Sequence, residues 1–186
     1  MFDGAVGSGQ LEQYVNAKHI YGVEIQEQAC KLFLENYKNA EVENTSFFNY
    51  KSDTKADCVI MNYPFSLKFK GLTEEEKQNI KDKFPWKKSG VVDDIFILQS
   101  LEHTNRYGFY ICFPGITYRK TEEKLRSLLG NTITELNLIE NAFEDTNINV
   151  LLLVIGKEKQ EVGVNKEIYN CKTKETLLNE FCKTIS

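Results

Sequence analysis

Apolar and polar residues alternate along the chain in blocks that predict strands separated by helices. Two short apolar runs, at residues 20–25 and 56–61, have the length and composition of buried strands. Between them, from about residue 26 to residue 38, apolar side chains recur at i, i+3, i+4 and i+8, the spacing of one helix face. Such an alternation of strands and helices is typical of an open α/β sheet.

The second half of the chain continues this pattern. A polar, lysine-rich stretch at 66–90 is too long for a plain connection and predicts a functional loop with one turn of helix at 74–80. The remaining predicted elements are a helix at 93–103, a strand at 107–113, a helix at 122–129, a pair of strands at 132–139 and 150–155, and a final helix at 174–181. The final helix is predicted because Leu177, Leu178 and Phe181 would pack together on one face.

Length and hydropathy place the chain among ordinary globular proteins. It has 186 residues, of which 41% are hydrophobic and 27% are charged. The mean hydropathy is -0.40, and no apolar run approaches the roughly 20 residues that a membrane-spanning helix requires. The first residues lack the basic and apolar segments of a signal peptide. We therefore expect a cytoplasmic protein with no membrane partner.

The net charge and the positions of the cysteines and histidines bear on nucleic-acid binding and on metal binding. The net charge of -4 is not the balance of a protein that binds nucleic acid by bulk charge. Local basic clusters are more typical of solvated loops and helix faces, and they leave nucleic acid open; one of them surrounds Trp86 and consists of Lys81, Lys83, Lys87 and Lys88. The five cysteines form no CxxC pair and the two histidines are not near one, so we expect no metal site.

A glycine-rich loop, DGAVGSG at residues 3–9, lies between a short strand and a predicted helix. Glycines at such a turn let the backbone approach a ligand closely at the carboxyl edge of a sheet, although many such loops are only tight turns. No Lys-Ser/Thr pair ends the loop, so it is not a triphosphate-binding loop. The carboxylate of Asp3 would repel phosphates and suits a cationic ligand, such as the amino-acid end of S-adenosylmethionine.

An acidic residue, Glu24, ends the second predicted strand about 20 residues after the loop. A carboxylate at this position can accept hydrogen bonds from both hydroxyls of a ribose. The alternative interpretation is a solvated strand end.

A turn with the sequence Asn62-Tyr63-Pro64-Phe65 follows the strand at 56–61 directly. Pro64 favours an extended conformation at Tyr63, so that the Tyr63 carbonyl and the Asn62 side-chain oxygen can offer two neighbouring acceptors. Two acceptors suit an exocyclic NH2 group, and accepting both hydrogens makes its nitrogen a better nucleophile. Phe65 offers a face on which a flat ring can stack. The alternative is a plain turn that leaves a strand.

Together these segments resemble the amino-group (N6-adenine) DNA methyltransferases, most closely the modification subunit of type I restriction systems. DGAVGSG resembles the cofactor loop D-P-x-x-G-S-G of that family, YGVEI resembles its ribose-binding strand, and MNYPFS resembles its N-P-P-[FY] catalytic motif. DDIFILQSL, YGFYICFPGITYRKTEEKLRSLL and LIENAFEDTNINVLLLVIGKEK follow its later motifs in order and spacing. The resemblance covers nearly all of residues 1–157.

The resemblance implies an α/β fold of the Rossmann-like class I S-adenosylmethionine-dependent methyltransferase type. Its sheet would be mostly parallel and twisted, with a C-terminal antiparallel strand pair and a truncated N-terminal strand. Residues 1–157 would form the catalytic domain, and 158–186 a charged segment and a helix packed on it. The implied activity is methyl transfer from S-adenosylmethionine to the N6 amino group of a flipped adenine in DNA, without a metal. A specificity subunit or another restriction-modification partner, or a missing segment, would supply target recognition for this bacterial or phage-encoded protein.

The family's functional residues can be carried over to matching positions of this chain. The catalytic residues so implied are Asn62, Tyr63, Pro64 and Phe65; the cofactor-binding residues are Asp3, Gly4, Ala5, Gly7, Gly9, Glu24, Ile25, Ser46 and Phe47; and the rings that stack on the target base are Phe65 and Phe143. For Phe143, core packing is the alternative.

Several departures from the family pattern keep other functions open. Gly4 replaces the usual proline, Tyr63 replaces the first proline of the catalytic motif, and Ser46 stands where an aspartate usually faces the cofactor adenine. The first strand is almost absent, and residues 158–186 are too few for a target-recognition domain. A methyltransferase for RNA adenine or protein glutamine is therefore one alternative. A truncated, non-catalytic binding or regulatory module is another.

Overall fold

The computed structural model describes residues 1–143, 146–158 and 163–183. The chain divides into two compact units, Met1–Asn105 and Arg106–Ser186. The boundary between these units, after residue 105, is not the boundary between the predicted domains 1–157 and 158–186. Those domains were defined by the motifs that they contain, and they stay a prediction. None of the helices in the described residues has the length and apolar character needed to cross a membrane.

The first unit contains a parallel sheet whose strands are ordered β3-β2-β1-β4. These strands are β1 (Phe2–Asp3), β2 (Ile20–Glu24), β3 (Ala40–Asn44) and β4 (Ala56–Met61). β1 is paired in parallel with both β2 and β4, and β2 is paired in parallel with β3. The strand predictions at 20–25 and 56–61 are confirmed, and all four strands direct their carboxyl ends to the same edge of the sheet.

Three α-helices accompany this sheet: α1 (Glu27–Asn36), α2 (Glu74–Lys83) and α3 (Asp93–Ser100). α2 has ten residues, so the single helical turn predicted at 74–80 was too short. Its predicted start is confirmed and is fixed by a capping box: the Thr73 hydroxyl accepts from the Glu76 backbone N–H, and the Glu76 carboxylate accepts from the Thr73 backbone N–H. Lysines in the last turn complement the helix dipole.

The core of the first unit is rich in aromatic rings. Phe2 and Phe33 are fully buried, and Phe2 stacks on His103 with ring centroids 4.5 Å apart. Phe33 packs with Val6 and Ile20, which fastens the glycine-rich loop to the helix side of the sheet. Even a two-residue β1 is therefore held in register by the burial of a large side chain.

The second unit is a mixed sheet with the strand order β5-β7-β6-β8-β9. Its elements are β5 (Thr104–Cys112, which begins in the first unit), α4 (Glu123–Leu129), β6 (Ile133–Glu140), β7 (Val150–Gly156), β8 (Val164–Asn170) and β9 (Glu175–Cys182). β7 is antiparallel to both β5 and β6, β8 is parallel to β6, and β9 is antiparallel to β8. The predicted antiparallel strand pair is confirmed.

The predicted helix at 174–181 is wrong, because this segment forms β9. The strand pairs with β8 from Cys182 opposite Val164 to Glu175 opposite Asn170, and this ladder pairs the backbone groups on the side of β9 that faces β8. Leu177 and Phe181 stay 55% and 51% exposed, so the helical spacing of the apolar residues did not reflect a buried face. Local periodicity is a weak prior that strand pairing overrides.

Candidate functional site

A cavity of about 320 Å³ opens at the carboxyl edge of the parallel sheet in the first unit. Each of the four parallel strands contributes a residue at or just after its carboxyl end: Gly4 after β1, Glu24 at the end of β2, Ser46 after β3, and Asn62 after β4. Ligands of open α/β sheets bind at this edge. The cavity is therefore the candidate functional site.

The glycine-rich loop is held in its conformation by its own backbone and by α1. The Ala5 N–H donates to Asp3 Oδ1 at 2.7 Å, which closes the start of the loop. Gly9 has a φ of +88°, and a Cβ there would lie 2.3 Å from Cε2 of Tyr37. The Tyr37 hydroxyl donates to the Gly9 carbonyl at 2.5 Å. Only glycine meets both the backbone angle and the close approach of the ring.

Gly4 is also explained by packing. A Cβ at this position would lie 2.6 Å from the ring carbon Cε2 of Phe47. The departure from proline therefore lets Phe47, after β3, lie directly against the loop. Gly7, by contrast, has a φ of +57° and open space around it.

Asp3 and Glu12 form a buried acidic pair behind the loop. Each is 1% exposed, and neither lines the cavity. Burial raises the pKa of Asp3 well above its usual value, and the charge of Glu12 raises it further. Burial also raises the pKa of Glu12, whereas its contact with Asp3 lowers it. Burial therefore disfavours the ionised form of both carboxyls, and the charge of Glu12 adds to this effect at Asp3. The sequence analysis did not identify Glu12, because Glu12 lies outside the glycine-rich motif at residues 3–9.

Glu24 is a buried, well-oriented carboxylate and not a solvated strand end. It is 8% exposed. Its Oε2 accepts from the Gly7 N–H at 3.0 Å, and its Oε1 accepts from the Gln26 N–H at 2.7 Å. The glycine-rich loop and the end of β2 are thereby fastened to one another. Because each carboxylate oxygen has a further acceptor position, Glu24 can still receive donors from a ligand in the cavity.

The Asn62-Tyr63-Pro64-Phe65 turn is anchored by aromatic rings. Tyr63 is 1% exposed and stacks on Phe96 of α3, with ring centroids 5.0 Å apart and an interplanar angle of 7°. Phe65 meets the Tyr63 ring edge-on at 6.2 Å. Asn62 is exposed to the cavity, and its side chain makes no hydrogen bond within the part of the chain that the structure describes. The turn thus presents Asn62 on a rigid support.

The next residue, Ser66, has a positive φ of 58°, and its N–H donates to Oδ1 of Asp93 at 2.9 Å. This bond ties the end of the Asn62-Tyr63-Pro64-Phe65 turn to the start of α3. The neighbouring Asp94 accepts from Lys87 with both oxygens at 2.7 Å, and both side chains are buried. The interpretation of Lys87 as a solvated surface lysine is therefore wrong, because it is the cationic partner of a buried carboxylate.

Phe96 contacts both the segment that follows β3 and the turn that follows β4. Besides Tyr63, it stacks on Phe47 with centroids 5.7 Å apart and an interplanar angle of 4°. Gln99, one turn further along α3, donates from Nε2 to the Phe47 carbonyl at 2.6 Å. Phe96 and Gln99 lie in the DDIFILQSL segment, which was recognised as a later motif but not as part of the site.

Ser46 meets a carboxylate that comes from the lysine-rich stretch. Its hydroxyl donates to Oε1 of Glu76 in α2. Glu76 is 6% exposed, and its Oε2 accepts from the Thr73 N–H at 2.7 Å. Both Ser46 and Glu76 line the cavity. The stretch at 66–90, predicted to be a functional loop, thus contributes Glu76 to the cavity lining. The sequence analysis did not identify Glu76 as a site residue.

The structure brings together most of the residues predicted for the site. Those that line the cavity are Gly4, Ala5, Glu24, Ile25, Ser46, Phe47, Asn62 and Pro64. Residues that line it without having been predicted are Gln26, Thr45, Phe48, Leu67, Glu76 and Phe96. Predicted residues of the first unit that do not line it are Asp3, Gly7, Gly9, Tyr63 and Phe65. The first three of these belong to the loop and the last two to the turn, so they shape the cavity edge without lining the cavity.

Phe143 belongs to the second unit. It is 43% exposed and forms an isolated bridge with Thr146, so core packing does not explain it. Its stacking role stays a prediction. Among the described residues, no three His, Cys, Asp or Glu side chains come together as metal ligands.

Comparisons with known proteins bear on the family and on the fold. The family model described as N-6 DNA Methylase matches residues 2–183. The type I restriction-modification system methyltransferase subunit from Streptococcus thermophilus is similar with a TM-score of 0.71 and 19% identity, over 98% of this chain and 44% of that one. A protein from Listeria monocytogenes ascribed to the class I S-adenosylmethionine-dependent methyltransferases has a TM-score of 0.68 and 16% identity, over 91% of this chain and 57% of that one.

The chain spans less than half the length of the Streptococcus subunit. One curated relative, DNA ligase 4 of Candida albicans, is 25% identical over 114 residues, which are 61% of this chain and 11% of the ligase. A match of that extent does not indicate a shared family. The likenesses to solved structures show the fold: a class I methyltransferase-like α/β sheet with antiparallel C-terminal strands.

Proposed function

Because the chain belongs to the N-6 DNA methylase family, we propose that it transfers a methyl group from S-adenosylmethionine to the N6 amino group of adenine in DNA. One observation carries this proposal. Asn62, whose side chain has no partner in the described residues, shares a single cavity with Glu24 and with the glycine-rich loop. An amide that can accept from an NH2 group thus lies in the same cavity as a carboxylate suited to a ribose.

The residues of the cavity fit S-adenosylmethionine, which supplies an electrophilic methyl group on a sulfonium. Glu24 has acceptor positions for the two ribose hydroxyls. Ile25, which is 65% exposed, and the Phe47 ring offer apolar surfaces to a flat base. Asp3 and Glu12 lie behind the loop, where a nearby cationic ligand would lower the cost of ionising these two buried carboxyls.

The chain's own contribution to the reaction is positioning. Asn62 Oδ1 and the Tyr63 carbonyl would accept the two N6 hydrogens of the target adenine, and Phe65 would stack on its ring. Bound S-adenosylmethionine would supply an electrophilic methyl group and leave as the neutral thioether, and the methylated N6 would lose one of its two hydrogens as a proton, which would pass to solvent when the site opens. The reacting atoms must lie roughly 3–3.5 Å apart with water excluded. The stacked rings of Tyr63 and Phe96 and the bond from Ser66 to Asp93 hold the turn for this purpose.

Target recognition is proposed to come from outside this chain. Its net charge of -4 does not favour DNA, and a duplex must be engaged strongly enough to flip a base. We infer that a specificity subunit, another restriction-modification partner or further protein sequence binds the duplex. The adenine would then enter the cavity at Asn62.

The test is transfer of a labelled methyl group to unmethylated DNA, with ribosomal RNA and protein as parallel substrates, by the chain with and without its host's restriction-modification proteins. Asn62→Ala should lower the transfer rate at least about 100-fold, because the acceptor for the N6 hydrogen is lost, and should leave cofactor affinity within about threefold. Asn105→Ala, a substitution at an exposed position outside the cavity, is the matched control and should not alter the rate.

Other outcomes would overturn the proposal in different ways. Label in RNA or protein but not in DNA would show that the substrate is a different amino group, the alternative that Tyr63 in place of proline leaves open. A folded chain that binds no cofactor even with its partners present would indicate a non-catalytic module. Unchanged transfer by Asn62→Ala would remove the role assigned to that residue.

A further inference from the structure

The cavity contains two carboxylates with different surroundings. Glu24, at the end of β2, accepts from two backbone N–H groups that belong to the loop and to the start of α1. Glu76 comes from α2, about 50 residues further along the chain, and its oxygens accept from the Thr73 N–H and the Ser46 hydroxyl. A ligand that fills the cavity therefore meets two separate carboxylate acceptors, one at the end of β2 and one in α2.

Glu76 is fixed in place before any ligand binds. The capping box with Thr73 holds its backbone and one carboxylate oxygen, while Ser46 orients the other. It is 6% exposed, and within the described residues no lysine, arginine or histidine pairs with it. A buried carboxylate with only neutral hydrogen-bond donors retains its acceptor capacity and is stabilised by each further donor that it receives.

The lining near Glu76 suits a flat aromatic ligand. Phe47, Phe48 and Phe96 line the same cavity, and Phe48 packs against Phe96 with ring centroids 4.7 Å apart. Pockets of this kind use a few polar groups to set the orientation of a mostly apolar ligand. Of the groups on the cofactor's purine, the exocyclic amino group is the one that donates hydrogen bonds, and a carboxylate is an acceptor only.

We propose that Glu76, oriented by Ser46, accepts a hydrogen bond from the exocyclic amino group of the cofactor's adenine and so selects adenosyl over 6-oxopurine cofactors. This inference rests on the proposed function, since it identifies how the same cavity recognises S-adenosylmethionine. A 6-oxopurine would present its carbonyl oxygen to the carboxylate, and two acceptors facing one another in a buried site repel. Ser46 without Glu76 would not discriminate in this way, because a free hydroxyl can donate to a 6-oxo group as readily as it accepts from an amino group.

The experiment compares the affinity of the chain for S-adenosylhomocysteine and for S-inosylhomocysteine by calorimetric titration. The wild-type chain should prefer the adenosyl ligand by at least about 30-fold. Glu76→Gln should reduce that preference to within about threefold, because the amide can rotate and donate to the 6-oxo group. The glutamine can still accept from the Thr73 N–H, so the capping box and the thermal unfolding midpoint should be retained.

Glu75→Gln is the matched control, because Glu75 is the exposed neighbour in the same helical turn. It should leave the preference unchanged. Equal affinity of the wild-type chain for the two ligands, or an undiminished preference in Glu76→Gln, would overturn this inference while the proposed function stands. A folded chain that binds neither ligand, alone or with its partners, would instead overturn the proposed function and this inference together.

Discussion

The glycine-rich loop and the Asn-Tyr-Pro-Phe turn both follow parallel strands at one edge of the sheet, yet they are stabilised differently. The loop depends on hydrogen bonds to carboxylates and on the absence of a side chain at Gly9. The turn depends on the burial of Tyr63 and its stacking on Phe96. The polar groups of the loop therefore form the hydrogen bonds that fix its conformation. The turn is held by aromatic packing instead, which leaves the Asn62 side chain available for a substrate.

The strongest disruption of the turn is predicted for Phe96→Ala. This substitution removes the ring that stacks on both Tyr63 and Phe47, and it should lower the free energy of unfolding by about 3–5 kcal/mol. Chemical denaturation measures the loss. Phe96→Leu keeps most of the buried volume and should lose about half as much; an equal loss in both variants would mean that ring stacking matters more than cavity formation.

The strongest disruption of the loop is predicted for Gly9→Ala. The added methyl would collide with the Tyr37 ring and force a residue with a side chain into a φ of +88°. We expect the free energy of unfolding to fall by about 2–4 kcal/mol. Gly7→Ala is the matched control, since its φ is positive but its surroundings are open, and it should cost about 1 kcal/mol. Similar losses in both would show that the Tyr37 ring simply moves aside.

A smaller effect is predicted for Glu12→Gln behind the loop. Burial and the charge of Glu12 raise the pKa of Asp3, so the folded chain binds more protons than the unfolded chain as pH rises above the ordinary carboxyl range. Stability should therefore fall with rising pH through that window and level off above the raised pKa of Asp3. Removing the Glu12 charge should weaken this dependence and raise the melting temperature near neutral pH by about 2–4 °C.

Thermal unfolding from acidic to neutral pH checks this prediction. The difference between Glu12→Gln and wild type should shrink towards acidic pH, where both carboxyls are protonated in either state. Glu35→Gln removes the same charge at an exposed position of α1 and should change neither the midpoint nor its pH dependence. A Glu12→Gln variant that is less stable than wild type at every pH would contradict the destabilising effect assigned to the Glu12 charge.

Much of the first unit was predictable from sequence, because its signals are local. The strand at 56–61 coincides with β4, and the loop at 3–9 and the turn at 62–65 flank the cavity as expected. These segments carry their own chemistry: glycines where the backbone needs freedom, a proline that stops a strand, and acidic residues at strand ends.

Residues that reach the site across long separations were not predictable in this way. Glu76 meets Ser46 across 30 positions, and the Gln99 side chain meets the Phe47 carbonyl across 52. Neither contact follows from periodicity or spacing. The helix predicted at 174–181 failed for a related reason, because pairing with β8 decides the conformation of β9 and apolar spacing does not.

The sequence by itself determined the alternation of strands and helices, the family resemblance, and which segments reach the cavity edge, since these depend on residue types and neighbours along the chain. Only the tertiary structure decided which side chains meet there. It paired Asp3 with Glu12, placed Phe96 against both Tyr63 and Phe47, and brought the carboxylate of Glu76 to Ser46. Packing of distant elements sets burial, and burial determines whether a carboxylate is a solvated charge, a proton carrier or a hydrogen-bond acceptor.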